Sequence, residues 1–303
     1  MNSEKGEEGG EKGEQTFNAS LLPPSFPSPM FLRCGKFQLE LSRPLVMGIV
    51  NVTPDSFSDG GRYHSSSRAV DHAYQLIEDG ADMLDIGGES TRPGAAEVGE
   101  QEELDRVLPV IEGLRGIKLP ISIDTWKPAV MRAAIGAGAS MVNDVNALQA
   151  EGALQAVSAS DAAVCLMHKQ GTPQSMQRQP SYGDVVQEVA DFMGQRIAAV
   201  QAAGIGRDRI VIDPGFGFGK TLAHNLALLR ELESFTRLGL PVLAGLSRKS
   251  MLGAITGREI GERLAASVAA AMLAVQHGAA IVRVHDVRET VDVLKIMNAV
   301  NGE

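Results

Sequence analysis

Cysteine is nearly absent from this chain, with only Cys34 and Cys165 in 303 residues. Two such thiols give neither a disulfide framework nor the paired spacing of a structural zinc site. Cys165 sits in the apolar run AAVCLMH, where a buried, inert thiol is expected. This usage suits a reducing cytosol, so a cytoplasmic protein is expected. Aromatic residues are also scarce at 4%, so aliphatic side chains must build the core, and the 44% hydrophobic content suffices for that. No apolar stretch reaches the ~18 residues that a membrane helix needs. The N-terminus lacks the charged-then-apolar order of a secretory signal and is too acidic and arginine-poor for a transit peptide. Positive charge is in deficit: the net charge is −9 and the sequence pI about 5.3. Such a chain is a poor general binder of nucleic acid or anionic membrane, and an anionic substrate must be met by a local basic cluster.

Nucleotide-binding loops are missing too. DPGFGFGKT (213–221) is glycine-rich, but Pro214 stands where a P-loop needs its first glycine. Nor does it hold G-x-G-x-x-G, because Leu222 occupies the last position. It reads as a glycine-lined loop over a flat ligand, with Phe216 and Phe218 as walls, or else as a flexible turn.

What is present divides into a tail and one domain. Residues 1–34 are Glu, Lys and Gly followed by LLPPSFPSP, and they read as a disordered, first acidic and then Pro-rich tail. From residue 35 to 303 a unit repeats: an apolar run, polar residues, a helical pattern, a glycine, and the next run. Eight such runs occur: 44–50, 81–87, 119–123, 139–143, 162–167, 209–212, 240–246 and 279–284. Continuous rather than alternating hydrophobicity suits parallel strands covered on both faces. Between the runs, Ala69, Val70, Ala73, Leu76 and Ile77 share one helical face. So do Leu104, Val107, Leu108, Ile111 and Leu114, and also Leu264, Val268, Ala271, Met272 and Val275. A shorter helix is expected over about Pro128–Ala137. Gly80, Gly138, Gly204, Gly239 and Gly278 fall where each helix must end. Eight βα units predict an α/β fold, the closed (β/α)8 TIM barrel, with its active site at the C-terminal ends of the strands. The rival is an open doubly wound sheet, which usually carries a glycine fingerprint after its first strand; here NVTPDSF follows instead.

Polar residues gather where those strands end. The runs lead in turn to Asn51, to Asp85 and then Glu89, to Asp124, to Asn143 and Asp144, to Met167 and His168, to Asp213, to Ser247–Arg248–Lys249–Ser250, and to Arg283, His285 and Asp286. Each has a plainer alternative. Asp124 or Thr125 is placed to cap the next helix. Asp85 suits a structural carboxylate binding loop amides, His168 a satisfied wall residue, and Asn143 with Asp144 a turn. Arg248 and Arg258 suit ordinary ion-paired surface groups. Independent caps, however, would not need Asp, Asn, Lys, Arg and His converging on one mouth. Asp124, Asn143 and Asp213 offer mostly acceptors, which suit the donor edge of a flat heterocycle, with Lys249 for its acceptor atoms. Arg283 and His285 alternate along one strand and so point to one side, suiting a phosphorylated or diphosphorylated group. Asn51 adds a neutral oxygen, enough for a Mg2+ already carried by substrate phosphates. The loops 51–67 and 87–99 look like covers that exclude water.

NVTPDSFSDGG (51–61), LDIGGESTRPGA (84–95), SIDT (122–125), ASMVNDV (139–145), DPGFGFGKT (213–221), SRKS (247–250) and RVHD (283–286) together resemble the dihydropteroate synthase family, in that family's order. The match runs from about residue 35 to the C-terminus, with no departure at a motif position. The resemblance implies a transferase of folate biosynthesis, and a sulfonamide target. It would join 6-hydroxymethyl-7,8-dihydropterin diphosphate to 4-aminobenzoate by an SN1-like displacement of Mg-diphosphate. It implies that Asp124, Asn143, Asp213 and Lys249 hold the pterin, with Met167 also in the substrate site. Arg283 and His285 would hold the diphosphate, Asn51 would contact Mg2+, and Thr91, Arg92, Pro93, Phe218 and Ser250 would shape the aminobenzoate site. Lys249, Arg283 and His285 would act in catalysis, and a homodimer is implied.

Overall fold

A computed structural model describes residues 30–52, 62–90, 97–172, 176 and 180–302 of the chain. It opens with an antiparallel hairpin, β1 (Phe31–Cys34) and β2 (Phe37–Glu40). Eight parallel strands follow: β3 (Leu45–Asn51), β4 (Met83–Gly87), β5 (Ile121–Asp124), β6 (Met141–Asp144), β7 (Ala163–Met167), β8 (Ile210–Asp213), β9 (Leu243–Ala244) and β10 (Ile281–Val284). Their order is β8-β7-β6-β5-β4-β3-β10-β9. The remaining gap is bridged in parallel by Ile212 and Val242, with the Ile212 amide donating to the Pro241 carbonyl at 3.0 Å. The sheet is therefore a closed barrel, as the eight apolar runs predicted.

Helices separate the strands: α1 (Arg62–Glu78), α2 (Glu100–Gly113), α3 (Pro128–Ala137), α4 (Ala153–Ser158), α5 (Val185–Ala202), α6 (Leu222–Arg230), α7 (Glu233–Thr236), α8 (Ser250–Thr256), α9 (Leu264–Gln276) and α10 (Val287–Asn301). The predicted apolar faces pack on the sheet: Ala69, Ala73 and Leu76 of α1 and Val107 and Ile111 of α2 are buried there, as are Ala271 and Val275 of α9. Leu264 departs from the prediction and is 41% exposed: it lies on the face of the buried Val268, Ala271 and Val275, but as the first residue of α9 it stands at the end of the helix. Gly80, Gly138, Gly204, Gly239 and Gly278 all have positive φ, the left-handed conformation that ends a helix without a Cβ clash.

Two cores result. The outer one lies between sheet and helices. The inner one fills the barrel with Leu45, Met47, Met83, Met141, Cys165, Val211 and Leu243, closed from below by Leu32, Cys34 and Leu41 of the hairpin segment. This corrects the expected tail boundary. Phe31–Cys34 is a strand, and its buried Leu32 and Cys34 plug the N-terminal end of the barrel. Four alternating residues behind a proline-rich stretch were too short a signal to separate from it. Residues 1–29, the rest of the expected tail, lie outside the described residues. Both cysteines are buried and free, and burial pushes both thiols up, Cys34 to about 12.

Candidate active site

Strand alternation decides which side chains reach the barrel interior. Two residues beyond Met83, Met141, Val211 and Ile281 of the inner core come Asp85, Asn143, Asp213 and Arg283, and beyond Ser122 comes Asp124. The same period that builds the dry lower layer thus sets a charged layer directly above it.

Arg283 sits at the centre of that layer. Its Nε donates to Asp85 Oδ2 at 2.5 Å and its Nη2 to Asp124 Oδ2 at 2.8 Å. Asn143 Nδ2 donates to the same Asp85 oxygen at 3.0 Å. Asp85 is fully buried and its Oδ1 has no hydrogen-bond partner. Burial pushes the Asp124 carboxyl up to about 7 against the pull of Arg283. Burial also raises Asp213, opposed first by Lys249 and then by the Gly215 amide, which donates to its Oδ1 at 2.7 Å. Burial depresses Arg283, but Asp85 and Asp124 more than reverse this and hold it above the ordinary arginine range. The arrangement therefore keeps one permanent cation among three buried acids.

Lys249 completes the ring of charge. It follows β9 in the turn before α8, its Nζ donates to the Phe216 carbonyl, and the ammonium lies 4.5 Å from the centre of the Phe218 ring. Burial lowers its pKa to about 8, with Asp213 holding it up. The turn is strained at Arg248, whose φ is +59°. Arg248 Nε reaches Asp286 Oδ2 at 3.2 Å and its amide donates to Ser267 Oγ at 2.9 Å, so the turn is tied to β10 and α9. Ser247 Oγ lies 2.9 Å from His285 Nδ1, just past the end of β10. Asn51, at the tip of β3, brings its Oδ1 to within 3.9 Å of where a Gly87 Cβ would stand, and Asp124 Oδ2 is 3.8 Å from the same point. Among the described residues no cluster of three or more His, Cys, Asp or Glu could hold a metal.

Most of the predicted site residues thus meet at one mouth: Asn51, Asp124, Asn143, Asp213, Lys249 and Arg283, with Met167 beside Asp213 in the strand register. Phe218 is half-buried against Lys249, and Ser250 is exposed at the start of α8. Phe216 is not a wall of the mouth but a fully buried core residue. Thr91, Arg92 and Pro93 lie outside the described residues, as do the covering residues 53–61.

Several plainer alternatives resolve as well. Asp124 caps no helix: Lys127 occupies the N-cap of α3, which has no side-chain cap. Asp85 binds Arg283 and Asn143, not loop amides. Asp144 does serve a turn, accepting the Asn146 and Leu148 amides at 2.7 Å each. Arg258 is an exposed group 4.0 Å from Glu262.

Two features escaped sequence reasoning because their partners are distant in the chain. Lys127 Nζ is buried between Glu89 Oε2 at 2.7 Å and Glu103 Oε2 at 2.5 Å. Glu89 also accepts from the Val98 amide and from Trp126 Nε1, so one carboxylate ties together both stems of the segment 91–96. Lys220, beside the expected flexible turn, is the second: its ammonium is buried under the glycine-rich loop.

A barrel mouth with converging acceptors, one lysine and one paired arginine marks an enzyme of the (β/α)8 class with its site at the strand ends. Known proteins narrow that class. Residues 47–285 match the family described as pterin binding enzyme. The dihydropteroate synthase of Escherichia coli (strain K12) is 50% identical over 262 residues, covering 86% of this chain and 93% of the relative. A structure of Xanthomonas albilineans dihydropteroate synthase with 4-aminobenzoic acid has a TM-score of 0.86 at 54% identity, covering 91% of this chain and 100% of that one. The same enzyme in complex with 7,8-dihydropteroate has a TM-score of 0.83 at 52% identity, covering 90% of this chain and 99% of that one. A Yersinia pestis dihydropteroate synthase solved as a sulfonamide drug complex has a TM-score of 0.86 at 48% identity, covering 90% of this chain and all, 100%, of that one. The chain belongs to the pterin-binding enzyme family and, within it, to the dihydropteroate synthases.

Proposed function

We propose that this chain condenses 6-hydroxymethyl-7,8-dihydropterin diphosphate with 4-aminobenzoate to give 7,8-dihydropteroate and diphosphate. The observation that carries the reading is the convergence of Asp124, Asn143 and Asp213 with Lys249 and Arg283 on one barrel mouth. The carboxylates and the amide accept from the amino-amide edge of the pterin, and Lys249 donates to its ring acceptors. Asp124 needs its charge for this, and Arg283 favours that charged form. Nε and Nη2 of Arg283 are taken by Asp85 and Asp124, so Nη1 is the nitrogen offered to a diphosphate oxygen. Ser247 Oγ lies 2.9 Å from His285 Nδ1, and in the tautomer in which the hydroxyl donates, His285 carries its proton on Nε2 and joins Arg283 as a donor. Phe218, Ser250 and the segment bearing Thr91, Arg92 and Pro93 shape the aminobenzoate site.

Asn51 fits a Mg2+ carried by the substrate, because its neutral oxygen stands near Asp124 at the mouth. When bound, the ion supplies charge neutralisation on the leaving diphosphate. The carbon left behind is a pterin-stabilised cation, so the displacement is SN1-like and needs no strong base. Arg283 and His285 stabilise the charge that develops on the leaving group. The chain works as a homodimer, its partner covering the outer face of α9 at Leu273, which is 41% exposed.

The test is diphosphate release by purified protein. It is expected only with Mg2+, dihydropterin diphosphate and 4-aminobenzoate together, with sulfonamides competing against 4-aminobenzoate. Folded protein that yields no dihydropteroate sinks the reading.

A further inference from the structure

We infer that Lys220 is a positioning residue: its buried ammonium fastens the glycine-rich loop 214–219 to the end of β7 and so holds Phe218 at the aminobenzoate site. The inference rests on the reaction proposed above for its substrate, but not for its geometry.

A lysine after a glycine-rich loop and before a helix suggests a phosphate ligand. This one turns away from the mouth and is 2% exposed. Its Nζ donates to the Gly215 carbonyl at 2.9 Å and to the Phe218 carbonyl at 3.1 Å, and it lies 3.0 Å from His168 Nδ1. Burial lowers its pKa to about 7, and in the charged form its three protons meet four acceptors, the fourth being the His168 carbonyl at 3.4 Å. His168 sits outside the barrel wall, edge-on to Phe192. Burial and the neighbouring Lys220 drive its pKa to about 3, so it stays a neutral acceptor.

The rest of the loop is gripped as closely. Tyr182 Oη donates to the Gly219 carbonyl at 2.9 Å, and the Gly217 amide donates to Asn225 Oδ1 at 2.7 Å. The loop also lies flat on the chain leaving β7. A Cβ on Gly215 would stand 1.9 Å from the His168 carbonyl oxygen, and one on Gly219 would stand 2.3 Å from that of Gln170. Both glycines have positive φ, so neither the space nor the backbone admits another residue. Phe218 is the one large side chain of this loop left half-exposed at the mouth, beside Lys249. Asp213 belongs to β8 and is held by the sheet, whereas Phe218 depends on the loop. Without the Lys220 ammonium, the Gly215 and Phe218 carbonyls lose their shared donor.

Lys220→Met keeps the length and removes the donors. Its KM for 4-aminobenzoate is expected to rise by about tenfold or more, since small displacements at a site are costly. Its kcat should change by less than about threefold, and its KM for dihydropterin diphosphate by a smaller factor than that for 4-aminobenzoate, because Asp213 and Lys249 touch the loop only at the Gly215 amide and the Phe216 carbonyl. If Lys220 acts through Phe218, the double variant with Phe218→Ala is no worse than Phe218→Ala alone. Additive effects, or an unchanged KM for aminobenzoate, overturn the inference. Tyr182→Phe, which removes one hydroxyl at the far end of the loop, should shift the same constant in the same direction by a smaller factor. If Lys220→Met does not fold, an unchanged constant in Tyr182→Phe refutes the gripped loop. Amide hydrogen exchange over Gly215–Gly219 needs no substrate: in Lys220→Met or Tyr182→Phe it should quicken relative to the β-strands. No quickening refutes the inference even if the wild-type chain proves inactive, an outcome that would sink the proposed reaction separately.

Discussion

The lower and upper layers of the barrel interior use the same strands and differ in almost every physical respect. The lower layer holds Met83, Met141 and Val211, fully buried and sealed by the hairpin. Two residues further along the same strands stand Asp85, Asn143 and Asp213, buried charges and amides around Arg283. The lower layer gains stability from apolar burial. The upper layer spends some of it on desolvating acids, which it retains only because Arg283 and Lys249 stand among them. The stable layer supplies the rigid floor that an expensive polar layer requires.

The sharpest way to break this division is to remove the cation that holds the upper layer together. Arg283→Met leaves Asp85 and Asp124 facing each other unpaired. Turnover should fall by about two to three orders of magnitude. Chemical denaturation should show a loss of roughly 3–5 kcal/mol. A variant with wild-type stability would mean that Arg283 is not the counter-charge described above.

The converse is a change confined to the floor. Met141→Ala opens a cavity below Asn143 and should cost about 2–5 kcal/mol in denaturant melts. Well below the melting temperature its kcat/KM should stay within about twofold, because Met141 takes part in none of the hydrogen bonds or ion pairs that hold the upper layer. A large kinetic effect would show that the two layers are coupled, not stacked.

The mildest test uses pH. Lys249 is lowered to about 8, so its charge is lost as pH rises through that value, well before that of an ordinary lysine. The sign for function is a KM for dihydropterin diphosphate that rises above about pH 8. The sign for stability is opposite: between the folded value and the ordinary value the unfolded chain binds the extra proton, so this group adds stability as pH rises there. Lys249→Arg should flatten the alkaline limb of the KM profile. A limb that survives in this variant belongs to another group.

Much of the site was legible in the sequence because strand ends are where apolar runs stop. Asp124, Asn143, Asp213 and Arg283 each lie on or at the end of such a run, and a closed barrel brings all its strand ends to one rim. Asp85 was seen but assigned the wrong partners, since nothing local links it to Arg283, 198 positions away. The Glu89–Lys127–Glu103 cluster and the grip of Lys220 were hidden for the same reason. Their partners lie on different βα units, and a buried lysine has the same one-letter code as a solvated one. The hairpin strand Phe31–Cys34 was missed because its four residues make sense only against the barrel end they plug.

By itself the sequence determined the number of βα units, the glycines that end the helices, and the polar rim, because periodicity and chain stereochemistry are local. Tertiary structure alone decided which charges pair, which carbonyls Lys220 grips, and which layer is floor and which is site. Those outcomes depend on desolvation and on contacts between residues far apart in the chain, and no local pattern encodes them.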